Sequence, residues 1–375
     1  MSWRDWYRKN KTYQKLKILN DSIKDFLKCF YPAIKVFFSN SNEDIIYIAF
    51  LGEGGIGDYL MQRSILTELV KMNPNICIDI YNQGTQALNK DIKDKTRFYL
   101  VKDAAHITKK QYDIAYIVSH DAFEIFVKRN KKFTQRIVEN LEQYKYKYPE
   151  CFALSDCVMQ LDDNILNFKM SFKSHINFHK LHTMSVFKIR AGVDNIENCS
   201  PFLKYDTPPS PSQKFLIMDT TKYLTFQCGA GGEGFVDNGV KCWSIDNWEK
   251  TAAILRDKLS ADIKFVQIGT GKEYLKGMDI IANGKTSLNE LCYLLDNSIL
   301  NIGIEGGCVH IAKALGRKSL VLWGVTVAIY NRLAYPENIN IIPQMCSNIK
   351  NDGEINHIKP EFVAQKIAEY LGLPK

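Results

Sequence analysis

Along most of this chain, short apolar runs alternate with stretches whose apolar positions return every three or four residues, the pattern of strands feeding helices. The first such unit predicts a strand over 45–51, a glycine turn from Gly52 to Asp58, a helix over 58–72 and a strand from Ile76 to Tyr81. A less distinct helix and a strand from Ile114 to Val118 come next, and the stretch from Phe123 to Phe187 reads as helical, aromatic and lysine-rich. A second unit predicts strands over 223–227, 263–268, 300–304 and 320–323, with helices over 247–259, 287–295, 309–315 and 360–371. Strands alternating with helices imply parallel sheets covered on both faces, with any ligand at the carboxyl ends of the strands.

Between the two units, Pro208-Pro209-Ser210-Pro211-Ser212 can neither continue a helix nor pair in a sheet centre. The expected organisation is a basic helical extension over 1–43, a first Rossmann-like domain over 44–200 and a second over 216–375. In the extension, Leu16, Leu19, Ile23, Phe26, Leu27 and Phe30 recur as on one helical face among many lysines. Such a face suits packing on its own domain or another subunit, or contact with an anionic membrane surface.

Composition narrows the class. At 375 residues the chain is too long for one ordinary core, and 46% hydrophobic with 24% charged residues is globular usage. No run approaches a bilayer span and the start lacks the apolar core of a signal peptide, so a cytoplasmic protein is expected, peripheral at the inner membrane if the extension binds lipid. The ten cysteines stand singly, without CxxC pairs or zinc spacing, so no metal site is expected. A net charge of +8 without a dense Lys/Arg run argues against a nucleic-acid partner and for anionic substrates.

Four glycine-rich constellations could carry chemistry. Asp58 closes the first turn, where a carboxylate can cap the helix or accept a proton from an acceptor hydroxyl at a cleft edge. The loop Cys228 to Gly234, with Gly231 and Gly232, lets backbone approach a ligand and has Lys241 beside it, which together resemble a diphosphate cradle. Glu273 comes after the turn Gly269-Thr270-Gly271, and an ionised acid there suits the paired hydroxyls of a ribose. Glu305-Gly306-Gly307 ends a strand and opens a helix whose amides face a ligand, with His310 in its first turn as a hydrogen-bonding residue rather than a base. His120, after the strand 114–118, is a candidate for acceptor contact.

In this order the pieces resemble glycosyltransferase family nine, the ADP-heptose:lipopolysaccharide heptosyltransferases. Gly57-Asp58 is similar to the family's Gly-Asp turn, Lys241-Cys242-Trp243-Ser244 to its Lys-x-Trp-Ser/Pro segment, and Gly269 to Glu273 to its Gly-x-x-x-Glu turn. The most specific likeness runs Gly303-Ile304-Glu305-Gly306-Gly307-Cys308-Val309-His310-Ile311-Ala312-Lys313-Ala314-Leu315-Gly316, continuing to Leu322-Trp323-Gly324. Gly284 to Leu291 resembles the preceding Gly-x-Thr-Ser-Leu-x-Glu-Leu segment, and the likeness is weakest from 85 to 200. Glu305 stands where the family usually has Asp and Gly306 where it usually has Ser or Thr, which alters contacts open to a donor sugar.

The resemblance implies a GT-B fold, two Rossmann-like domains facing across a cleft, and metal-independent sugar transfer with inversion. It implies no cofactor beyond a nucleotide-sugar co-substrate, ADP-heptose, and a bacterial surface glycan, lipopolysaccharide or other glycolipid, or glycoprotein as acceptor. Asp58 would be the base; Gly231, Gly232 and Lys241 would hold the diphosphate, Glu273 the ribose, and Glu305, Gly306, Gly307 and His310 the sugar. Two other readings stay open. The first glycine turn could cradle S-adenosylmethionine in a methyltransferase, and the pair Glu305-Gly306 permits a non-catalytic nucleotide- or glycan-binding module.

Overall fold

The computed structural model describes residues 45–52, 54–82, 85–99, 112–118, 122–152, 158–162, 165–171, 181–208, 214–215, 217, 220–229, 241–271, 273–324, 335–343 and 354–373. The extension over 1–43, the proline-rich 209–212, Gly231, Gly232 and His120 lie outside them.

The first sheet has seven strands: β1 (Ile46–Gly52), β2 (Ile76–Tyr81), β3 (Thr96–Tyr99), β4 (Ile114–Val118), β5 (Ala122–Lys128), β6 (Val158–Asp162) and β7 (Ile165–Ser171), in the order 3-2-1-4-5-7-6. The first four strands are parallel, but β5, β7 and β6 run antiparallel to their neighbours. This corrects the expectation of a parallel sheet, and it corrects the helical reading of Phe123 to Phe187 in part, since strands β5, β6 and β7 share that stretch with helices at 132–147 and from 183. In β5 every side chain from Phe123 to Lys128 is buried, so the strand lacks the alternation that would distinguish it from a buried helix. Helices α1 (Ile56–Met72), α2 (Lys132–Lys147) and α3 (Thr183–Ala191) complete the domain, with a 3-10 segment at Gln86–Lys95.

Helix α1 is buried almost all round, from Tyr59 and Leu60 to Glu68 and Leu69, because it lies between its own sheet, α3 and the second domain. Its buried charges are paired. Arg63 forms an ion pair with Asp91 and donates to Asn89 Oδ1 at 3.1 Å and to the Phe202 carbonyl at 2.6 Å, tying the helix to the connecting segment.

The second sheet is wholly parallel, in the order β10-β9-β8-β11-β12-β13, from β8 (Tyr223–Gln227), β9 (Lys264–Ile268), β10 (Ile280–Ile281), β11 (Leu300–Ile304), β12 (Ser319–Leu322) and β13 (Ile339–Ile341). Helices α4 (Ile245–Lys258), α5 (Leu288–Asp296), α6 (Gly307–Ala314) and α7 (Pro360–Tyr370) accompany it. Ser244 Oγ caps α4 by accepting from the Asn247 N–H at 3.3 Å. Ser287 and Glu290 form a reciprocal capping box on α5, as the spacing Ser-x-x-Glu anticipates.

One apolar core runs across both sheets, taking in Tyr59, Leu60 and Ile65 from the first domain and Leu291, Ile311 and Ala312 from the second. Helices α1 and α6 touch, and the Leu203 N–H in the connecting segment donates to the Ala314 carbonyl at 3.1 Å. The two halves are therefore seated on each other through the helices that come after β1 and β11.

Candidate functional site

Two helix starts meet at the domain junction. Gly55 is the residue before α1 and Gly306 the residue before α6, so each helix begins earlier than its apolar spacing suggested. Gly307 thus lies in the first turn of α6. A Cβ on Gly307 would sit 3.4 Å from Ile56 Cβ and 3.6 Å from the Gly57 nitrogen, and one on Gly57 would strike His310 Cδ2 at 2.6 Å. The absence of side chains at 57 and 307 lets the backbones approach this closely. Both positive helix ends face the same small region.

Asp58 lies half-buried in the first turn of α1, where its Oδ2 accepts from the Gly55 N–H at 2.9 Å. It caps from inside the helix. Gly54 has φ +114°, a conformation that favours glycine, and a Cβ there would also lie 2.8 Å from Asp58. The turn thus fixes the carboxylate through one oxygen and leaves Oδ1 without a partner among the described residues.

Across the junction, Glu305 is 8% exposed and ion-pairs through Oε2 with Lys241 Nζ at 2.8 Å, while its Oε1 lies 3.8 Å from His310 Nε2. Burial alone would raise the Glu305 carboxyl, but His310 and the Lys241 ammonium outweigh it and hold the group down at about 2. Lys241 and Glu305, expected at the diphosphate and the sugar respectively, are direct partners. The backbone that carries Lys241 is anchored two residues later by Trp243, which is fully buried, donates to the Ile358 carbonyl at 3.2 Å and packs edge-on against Trp248 with ring centroids 5.1 Å apart.

Glu273 sits beyond the carboxyl end of β9. Its carbonyl accepts from Gln267 Nε2 at 2.9 Å and Asn283 Nδ2 at 3.0 Å, and its carboxylate folds over Gly271, where a Cβ would come within 1.9 Å of it. Glu273 Oε1 is buried without a hydrogen-bond partner among the described residues.

The sequence pattern did not single out Gln227, His182 or Tyr335. Gln227 ends β8; its Nε2 donates to the Gly229 carbonyl, and its Oε1 is buried, without a partner among the described residues, and within 2.8 Å of where a Gly303 Cβ would stand. The same amide lies 3.6 Å from the Cβ position of Gly306, beside the space that a serine side chain would enter. Its place at a strand's carboxyl end, next to a glycine loop, was a usable signal. His182 and Tyr335 carried none, because one precedes α3 and the other comes after β12 by a long connection. Among the described residues, no group of three or more His, Cys, Asp or Glu could hold a metal ion. Nor is any described helix long and apolar enough to cross a membrane.

The model of glycosyltransferase family 9 (heptosyltransferase) matches residues 211–358. No curated protein matches the chain. Among solved structures, a glycosyl transferase family 9 protein from Veillonella parvula is 15% identical with a TM-score of 0.59, covering 89% of this chain and 98% of that one. The ADP-heptose lps heptosyltransferase II of E. coli is 14% identical with a TM-score of 0.52, covering 87% and 98%. The dodecameric iron-containing heptosyltransferase TibC, of enterotoxigenic E. coli, in complex with ADP-D-beta-D-heptose, is 12% identical with a TM-score of 0.55, covering 89% and 78%. At these identities the structures speak for a shared fold, GT-B. The family 9 match covers residues 211–358, and the fold shared with these solved structures runs across both sheets.

Proposed function

We propose that this enzyme transfers a heptose from ADP-heptose, with inversion, to a hydroxyl of a glycan, lipopolysaccharide or glycoprotein acceptor. The observation that carries the reading is the contact between Gly57 and His310, which puts the Asp58 turn beside the Lys241–Glu305–His310 cluster. An acid from the first domain and a charged, polar donor cluster from the second meet at one place. The structural relatives described as binding ADP-heptose support the choice of donor.

In this mechanism Asp58 takes the proton of the acceptor hydroxyl through Oδ1 as the oxygen attacks the anomeric carbon from the face opposite the diphosphate. The bond from that carbon to the diphosphate oxygen breaks, and the nucleoside diphosphate leaves with the electron pair. Its growing negative charge is met by Lys241, by the glycine loop containing Gly231 and Gly232, and by the N-terminus of α6. When the diphosphate draws Lys241 away, Glu305 is released to accept from sugar hydroxyls beside Gly306, Gly307 and His310. Glu273 accepts from the ribose.

The test is turnover with defined sugar nucleotides and a lipopolysaccharide core or glycoprotein acceptor. Sugar transfer from ADP-heptose with an inverted anomeric centre supports the proposal. Tight binding of ADP-heptose without transfer to any such acceptor would leave the non-catalytic module standing, and a strong preference for GDP- or UDP-sugars would overturn the donor.

A further inference from the structure

Tyr335 and His310 form a closed pair in the second domain. The tyrosine oxygen lies 2.7 Å from His310 Nδ1, and both residues are 2% exposed. The Tyr335 hydroxyl has no other hydrogen-bond partner among the described residues, so Nδ1 is the single acceptor its proton can reach there. Burial raises the Tyr335 hydroxyl well above its ordinary value, so the group keeps its proton.

The direction of this bond fixes the ring. If Tyr335 donates to Nδ1, the imidazole proton lies on Nε2, and Nε2–H faces Glu305 Oε1 at 3.8 Å. The reverse arrangement has two faults: the tyrosine proton is buried without an acceptor among the described residues, and a bare Nε2 lone pair confronts the ionised Glu305. A buried unsatisfied donor is costly, and lone-pair repulsion adds to it. The same ring edge borders Gly57, with Nε2 3.4 Å from that residue's Cβ position, so the proton also faces the turn that holds Asp58.

Resting on the reading of the site as a sugar-nucleotide centre, we propose that Tyr335 is a positioning residue that locks His310 as the Nε2–H tautomer. His310 then presents a hydrogen-bond donor, not a lone pair, to Glu305 and to the region between the starts of α1 and α6. Both domains seat Tyr335. The ring of His182, just before α3 in the first domain, stacks on it with centroids 5.7 Å apart and planes 29° apart, and Lys313 Nζ of α6 lies 5.6 Å from its centroid. His182 is itself fixed because its Nδ1 accepts from the Met184 N–H at 3.2 Å. A first-domain side chain therefore helps to set the proton position of a second-domain histidine.

The experiment is a long-range nitrogen–proton NMR spectrum of the full chain without ligand at pH 7.5, with His310 assigned by its loss in His310→Asn. The expected wild-type pattern is a single Nε2–H tautomer, and in Tyr335→Phe that pattern gives way to a mixture. Transfer by Tyr335→Phe should fall about 10-fold or more in kcat, on the order of one lost buried hydrogen bond, with affinity for ADP little changed. An Nδ1–H or doubly protonated His310 in the wild type, or an unaltered His310 pattern in Tyr335→Phe, overturns the proposal. The spectrum needs no turnover, so a failure to find any sugar transfer would count against the proposed function and leave the tautomer to be decided on its own.

Discussion

Gly57 of α1 and His310 of α6 meet at the domain junction so closely that a Cβ on the glycine would stand 2.6 Å from the imidazole Cδ2. The imidazole cannot yield easily, since it is buried and bonded to Tyr335. Gly57→Ala is expected to push the helix starts apart, with a loss of about 1–3 kcal/mol in stability and a fall in kcat/KM. Urea unfolding and initial rates check it; an alanine variant matching the wild type in both would show that the two domains close less tightly than this.

Asp58 caps its helix and is proposed as the base, and one substitution separates the roles. Asp58→Asn keeps an oxygen for the Gly55 N–H, so stability should change little while transfer slows by about 10²- to 10⁴-fold. Donor affinity should hold. Rates near wild type in this variant would leave the carboxylate only its capping role.

His310 and Lys241, the partners of Glu305, make stability depend on pH. The Glu305 carboxyl is held down at about 2 from an ordinary 4.5, so its contribution is present above pH 4.5 and is lost as pH falls toward 2. Comparing wild type with Glu305→Gln in urea, the gap should narrow by on the order of 2–3 kcal/mol across that window. A gap that stays constant from pH 5 to pH 2.5 would mean that Glu305 gains nothing from its partners.

Lys241→Ala removes the ammonium assigned to the leaving diphosphate. ADP should bind more weakly by about 10- to 100-fold, in keeping with the loss of a charge-assisted contact. Isothermal titration reads this directly, and unaltered affinity would take Lys241 out of the phosphate site.

Glu273→Ala should weaken ADP binding by a similar factor while affinity for inorganic pyrophosphate stays the same, since its unpartnered Oε1 is assigned to ribose and not to phosphate. Parallel losses for both ligands would indicate a collapse of the loop over Gly271.

The sequence alone determined the second half of this molecule well. Strands 223–227 and 300–304 fall where the apolar runs put them, because buried parallel strands between glycine turns leave a sharp local pattern. Asp58, Glu273 and Glu305 could be nominated from the sequence because each stands close to glycines that follow a strand. The first domain was legible only in part: β5, buried along its length, looked like a helix, and its antiparallel pairing with β4 and β7 is a long-range choice that no local spacing encodes. Only the tertiary structure joined Lys241 to Glu305, Gly57 to His310 and His182 to Tyr335, contacts between residues remote in sequence. Spacing reports which face of an element is apolar, whereas a hydrogen bond or a stacked ring depends on how whole elements come to rest against one another.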